Sequence, residues 1–279
     1  MDADVGVRLD ARPLFRRTRA ALLELLADLS PADWQAPTVA APWLVRDLVA
    51  HLLGDDVSRL SRSRDDHDGP GPAAGETLPV FLARINDEWV RAVAAVSPAV
   101  LRDLLGTTSD LVHAYWQACD LAALGEPVSW AGPDPAPVWL DCARDFTEDW
   151  VHQQQIRDAV GRPGLEDAEA LHAVIDTFLH AMPLTLRQHA GPVAEGAAVT
   201  VRVGELGSWT WRRTPAGWDP DDTPADPALT GAAVIDTDPD TWWRLCVRML
   251  EPDQARELIT VTGDEPLATA ATHILSIIR

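Results

Sequence analysis

Glu148 and His152 stand four residues apart in Ala143-Arg-Asp-Phe-Thr-Glu-Asp-Trp-Val-His-Gln-Gln-Gln-Ile-Arg-Asp-Ala159, a stretch without proline or glycine. Such a stretch predicts a long helix, and a four-residue step puts both side chains on one face. The same face takes in Asp141, Arg144, Asp145 and Gln155. Phe146, Trp150 and Val160 lie opposite, with Ile156 on the flank. The polar stripe has two readings. One is an ordinary solvated helix face. The other is the wall of a wet cavity in which Glu148 and His152 ligate a divalent metal. The second reading needs a further nitrogen donor. His51 is the candidate, in Val45-Arg-Asp-Leu-Val-Ala-His-Leu-Leu53, where it is the notable polar group in an apolar helical run. A lone histidine there also reads as a core residue satisfied by a hydrogen bond. Taken with Glu-x-x-x-His on a second helix, it completes a two-nitrogen, one-oxygen set suited to zinc. Asp55, one turn after His51, shares its face.

The elements that must position these groups follow from periodicity and breakers. Helices are expected over about Pro13–Leu29, Pro42–Ser61, Leu78–Val96 and Val100–Leu124, the last interruptible at Gly106. Residues 62–76 and 125–137, rich in Gly and Pro, read as loops, with His67 exposed in the first. The Glu148–His152 helix ends at Gly161 and Pro163, and another runs from Asp167 to about His189, with a kink open to Pro183. The period then drops to two. Residues 197–204 and 208–213, with short strands at Trp218, 232–235 and 258–262, predict an antiparallel sheet with one buried face. A helix from Pro239 to Leu250 and a last one through Leu267, Ile274 and Ile277-Ile278 complete the chain. The result is a helical domain over 1–190 and a smaller α+β domain over 191–279.

Composition narrows the function. The chain has 279 residues, is 47% hydrophobic and carries 12 Trp, so it can bury a core. Its net charge of −20 opposes nonspecific binding to nucleic acid or to an anionic membrane, both of which are anionic. All 23 basic residues are arginine, so no Schiff-base or P-loop lysine is available. Cys119, Cys142 and Cys246 are odd in number and widely spaced, which suggests no disulfide framework. Without a signal-like apolar segment or an 18-residue apolar run, a cytoplasmic protein is expected.

The stretch Pro42-Trp-Leu-Val-Arg-Asp-Leu-Val-Ala-His-Leu52, followed by Glu148-x-x-x-His152 and a strand-rich tail with Thr241-Trp-Trp-Arg-Leu-Cys-Val-Arg248, resembles the mycothiol-dependent maleylpyruvate isomerase family. Pro42 and Val247 stand where that family carries glycine. The resemblance implies a DinB-like four-helix-bundle domain joined to a smaller C-terminal α+β domain. It implies zinc or another divalent ion on His51, Glu148 and His152, the three residues that spacing alone selects, and mycothiol as cosubstrate.

The expected function is therefore that of a metal-dependent enzyme acting on a small molecule with a low-molecular-weight thiol, as an isomerase or a transferase. Three protein ligands leave one metal position open. Arg248 is a candidate partner for a substrate carboxylate. Asp55, Asp145 or Arg144 are candidates to surround the ligands. A metal-dependent hydrolase, and a noncatalytic small-ligand or protein-binding member of the same fold, are the alternatives.

Overall fold

The computed structural model describes residues 7–132 and 134–276. The chain forms two compact units. The first holds residues up to 125 together with 137–167, and the second holds 126–136 and the chain from 168 onward.

The first unit is a helical bundle. Helices α1 (Arg12–Asp28), α2 (Val45–Arg59), α4 (Pro98–Ala118) and α5 (Val138–Ala159) form it, and α3 (Leu78–Ala92) packs on α2. On α1 the buried residues Leu14, Phe15, Thr18, Leu22, Leu25 and Leu26 recur at helical spacing. Leu22, Leu25 and Leu26 meet Leu48, Leu52, Leu101, Leu105 and Ile156 in one core, which Trp34 closes from a short 3-10 turn. Local chemistry sets the helix starts. Asp47 accepts from the Leu44 N–H at 3.1 Å at the head of α2, and Ser97 accepts from the Val100 N–H at 3.4 Å at the head of α4. Gly106 does not interrupt α4. A side chain there would make only ordinary contact with Leu23, 3.5 Å away. Helix α5 begins at Val138, earlier than residue 143, because the run of loop prolines ends with extended Pro137 at its N-cap. Asp141 is thereby helical.

Gly54 of α2 has a specific duty. The indole of Trp89 lies against it, so close that a Cβ would fall 2.6 Å from the ring, and donates to the Ala50 carbonyl at 2.7 Å. That contact fixes α3 on the helix that carries His51.

The second unit contains α6 (Ala168–Leu179), α7 (Met182–His189) and a five-stranded sheet. Its strands are β1 (Ala198–Val203), β2 (Gly207–Arg213), β3 (Trp218–Asp221), β4 (Ala232–Thr237) and β5 (Thr260–Gly263), in the order β3-β2-β1-β4-β5. The expected all-antiparallel sheet is corrected to a mixed one: β1 and β4 run parallel, with Val199 opposite Ala233 and Val201 opposite Ile235. Central β1 is accordingly buried on both faces except at Arg202. Its one buried hydroxyl is satisfied, since Thr200 Oγ1 pairs with Thr210 Oγ1 at 2.9 Å and accepts from the Ala225 N–H at 2.8 Å.

The single helix expected from Asp167 to His189 is two helices. Pro183 lacks an N–H and its ring would clash with the carbonyl four residues back. The first helix therefore stops at Leu179, and Pro183 takes a first-turn place in α7. Both helices belong with the sheet, so the boundary expected at residue 190 falls instead between 167 and 168. The reason is packing. Helix α6 buries Ala173, Val174, Thr177 and Phe178 and lies against α8 (Pro239–Cys246), while Ser276 Oγ donates to the Phe178 carbonyl at 2.9 Å. A short α9 (Pro252–Arg256) and α10 (Glu265–Ala271) follow; Ile277 and Ile278, expected in the last helix, lie outside the described residues. No helix among the described residues is long and apolar enough to cross a membrane.

Arg248 sits just past α8 with φ of 56°, a conformation that glycine adopts most easily. Its guanidinium donates to the carbonyls of Leu245 (3.0 Å), Ile274 (2.7 Å) and His273 (2.7 Å). These bonds gather the ends of α8 and α10. The guanidinium expected to meet a substrate carboxylate is engaged by these main-chain carbonyls. Arg248→Ala keeps the backbone strain and loses all three bonds, an expected cost of about 2 kcal/mol in urea unfolding. Arg248→Gly loses the same bonds but relieves the strain, and should be less damaging by about 1 kcal/mol.

Candidate metal centre

Helices α2 and α5 lie side by side in the first unit and present stripes at three- and four-residue spacing. On α2 the stripe is His51, Asp55 and Arg59. On α5, running the opposite way along the shared face, it is His152, Glu148, Asp145 and Asp141. Donor atoms of His51, Glu148 and His152 all lie within 4.8 Å of one another. The two imidazoles meet edge to face with ring centroids 4.8 Å apart, and the indole of Trp43 rests 5.0 Å from the His51 ring. Trp43 is itself held by donating Nε1–H to Asp87 at 3.1 Å.

The protonation states suit a cation. Burial, with the neighbouring His152, drives His51 down to about 3, so it is neutral at pH 7 with a lone pair to offer. Burial alone would raise Glu148, but its hydrogen bond to His152 and the charges of His152, Arg144 and His51 outweigh that and hold it ionised. Burial opposes charge on His152 as well, and the bond to Glu148 again prevails and raises it. Nε2 of His152 stands 3.4 Å from Glu148 Oε2, while its Nδ1–H donates to Gln155 Oε1 at 2.8 Å. Gln155 thus fixes the ring so that Nε2 faces the cluster, the orientation role usual behind a metal-bound histidine.

The donor set fits a divalent ion. Zinc bonds of about 2.1 Å in a tetrahedron place ligand atoms roughly 3.4 Å apart. The Glu148–His152 separation already has that value, and the remaining spread closes by small side-chain turns. Asp55 Oδ2 lies 3.3 Å from His51 Nε2, at the edge of the cluster and partly exposed. Burial and the charge of Glu148 push its carboxyl well above the usual range.

Beyond the cluster the stripes continue as an ionic ladder. Arg59 donates to Asp141 at 2.8 and 3.0 Å and to Asp145 at 3.1 Å, and lies over the Trp116 ring. Trp116 Nε1–H donates to Asp145 at 2.8 Å, and Arg144 bonds Asp141 at 2.9 Å. A second node joins Arg19 of α1 to Asp56 and Asp149, with Thr108 Oγ1 donating to Asp56 at 2.6 Å. Arg144 and Asp145, candidates to surround the metal ligands, belong mainly to the ladder. Sequence reasoning missed Arg19, Asp56 and Arg59. Only for Arg59 was there a signal, its place two four-residue steps after His51.

No cysteine belongs to the cluster. Cys142 and Cys246 are buried, which pushes both thiols up and away from thiolate formation. His67 is exposed, and His113 lies outside the cluster.

Comparison with known proteins agrees with this architecture. The family model described as the mycothiol maleylpyruvate isomerase N-terminal domain matches residues 15–157, about half of the chain and all three cluster residues. Two uncharacterised proteins of Mycobacterium tuberculosis, from strains CDC 1551 / Oshkosh and H37Rv, are each 28% identical over 200 residues. These cover 68% of this chain and 72% of theirs. Among solved structures, the crystal structure of the mycothiol-dependent maleylpyruvate isomerase has a TM-score of 0.55 at 13% identity, covering 90% of both chains. A histidine-to-alanine mutant of that enzyme gives 0.52 at 12% identity, again with 90% coverage of both chains. At such identity the likeness establishes the fold.

Proposed function

Since the chain belongs to the mycothiol maleylpyruvate isomerase family, we propose that it is a zinc-dependent enzyme of the cytoplasm that uses a low-molecular-weight thiol, mycothiol or a close analogue, to isomerise a small unsaturated acid. The observation that carries this reading is the His51, Glu148 and His152 cluster, with both histidines buried and the three donor atoms within 4.8 Å of one another. When bound there, the divalent ion supplies a Lewis-acid position that favours the thiolate form of a thiol near neutral pH. His51, Glu148 and His152 hold that ion, and Gln155 keeps His152 turned towards it. Asp55, whose carboxyl burial and the charge of Glu148 raise, stands beside His51 in reach of an incoming group because its side chain is partly exposed. Trp43 covers the His51 ring and limits water on that side. The buried thiols of Cys142 and Cys246 are unsuited to the nucleophile's role.

The test is an assay of cis–trans isomerisation of maleylpyruvate with protein purified without chelator. Turnover that requires both mycothiol and a divalent metal is the expected result. Metal uptake without thiol-dependent turnover, on maleylpyruvate or on a panel of electrophilic unsaturated acids, would replace the isomerase reading with the transferase, hydrolase or binding-protein alternative.

A further inference from the structure

A second cavity, of about 310 Å³, lies within the first unit where α1, α4 and α5 meet. Its walls are chemically sorted. Phe15, Leu23 and Val112 are apolar, Arg16 and Arg19 are its cations, and His113 adds an imidazole that burial and the charge of Arg16 keep from protonating. Three features point to a ligand. Arg19 is 95% removed from solvent, yet only its Nη2 is used, bonding Asp56 and Asp149; Nη1 is buried without a partner. His113 Nδ1 is likewise buried and unpartnered. Arg16, at the exposed rim, has no carboxylate partner among the described residues. Leaving buried donors unmade costs about 1–3 kcal/mol each, so a fold keeps such groups where something completes them.

We infer that this cavity is a binding site for a small hydroxycarboxylate, separate from the metal cluster. The carboxylate lies between Arg16 and Nη1 of Arg19, which a rotamer-scale movement of the wall brings together. Asp110 and Asp149 also line the cavity. They make a bare anion a poor fit and favour a ligand that carries a hydroxyl donor beside its carboxylate. The carbon skeleton packs on Phe15 and Leu23. Glu148 and Asp149 are consecutive on α5 but serve different places, the first the metal cluster and the second Arg19.

The probe is lactate, titrated calorimetrically into the full chain at constant ionic strength, with lactamide as the neutral control. Saturable one-to-one binding of lactate and none of lactamide is expected. Arg16→Gln, a change at an exposed side chain, should weaken lactate about tenfold, the loss of one charge-assisted contact. His152→Ala should leave it within about twofold, since the two sites share no ligand residue. Absence of saturable binding, equal binding of lactamide, or unchanged affinity in Arg16→Gln would overturn the inference. Binding abolished by His152→Ala would do so too, by assigning the carboxylate to the metal cluster. The titration is run on metal-free and zinc-loaded protein, so its outcome does not depend on the catalytic reading.

Discussion

His152→Ala protein should retain almost no zinc after dialysis that leaves about one ion per chain on the wild type. The substitution removes one of three donors and also deletes the partner that orients Glu148 at 3.4 Å. Loss of a protein ligand from a three-ligand site exceeds the 10–100-fold in affinity that losing an outer-sphere partner costs, so elemental analysis resolves it easily. The protein should remain folded, because the ladder and the apolar core do not pass through His152. The same titration has a pH signature. In the metal-free protein, His152 holds its proton more tightly than an ordinary histidine. Metal uptake displaces that proton, so apparent affinity should fall as pH is lowered through this raised titration. Full retention of zinc by the variant would remove the cluster from consideration.

The largest stability effect is expected at Arg59. Its guanidinium neutralises Asp141 and Asp145 in a site where all three are well shielded from solvent. Arg59→Ala leaves Asp141 to Arg144 alone and Asp145 to the Trp116 indole and a 3.7 Å approach from Arg144, so the cost should fall at the lower end of the about 3–5 kcal/mol of a broken buried pair. Chemical denaturation of the variant checks that figure. A double change of Arg59→Met with Asp145→Asn should recover part of the loss, since it removes the stranded charge as well as its partner. Acid sensitivity follows from the same contacts. Burial would raise Asp141, but Arg144 and Arg59 prevail and lower it from 3.8 to about 2. A depressed carboxyl contributes stability above its unfolded value and loses it as pH falls towards the folded one. The wild type should therefore lose this contribution only between about pH 4 and 2. In Arg59→Ala the folded value rises, and acid unfolding should begin at higher pH.

The cluster was legible because helical geometry is local. Glu148 and His152 share a face whatever surrounds them, and His51 was conspicuous in an apolar run. The strands were legible for the same reason, through their period of two. Three things were not. Arg59 reads from its neighbours as a surface residue near a helix end. Only the packing of α2 against α5 shows it to be interior. The parallel pairing of β1 with β4 depends on a connection through β2 and β3 that no local pattern encodes. The three carbonyls that engage Arg248 were hidden because a guanidinium at a helix end looks alike in sequence whether it faces a substrate or the main chain. The start of α6 marks a further limit. Periodicity located the helix, but the side of the boundary on which it belongs was decided by Phe178 and the residues that α8 offers it.

The chain enters the second unit at 126, leaves it at 136 and returns at 168. That itinerary constrains heredity as well as shape. A gene fragment ending at codon 167 would encode every metal donor, yet it would also carry Val128, Trp130, Ala131 and Ala136, which are buried in the whole protein, without the unit to which they belong. A recombination event that exchanges the C-terminal unit for another must therefore match two separate stretches of coding sequence at once. Single-crossover shuffling is disfavoured, and lineages that keep the bundle are expected to change partners by gradual divergence of the tail.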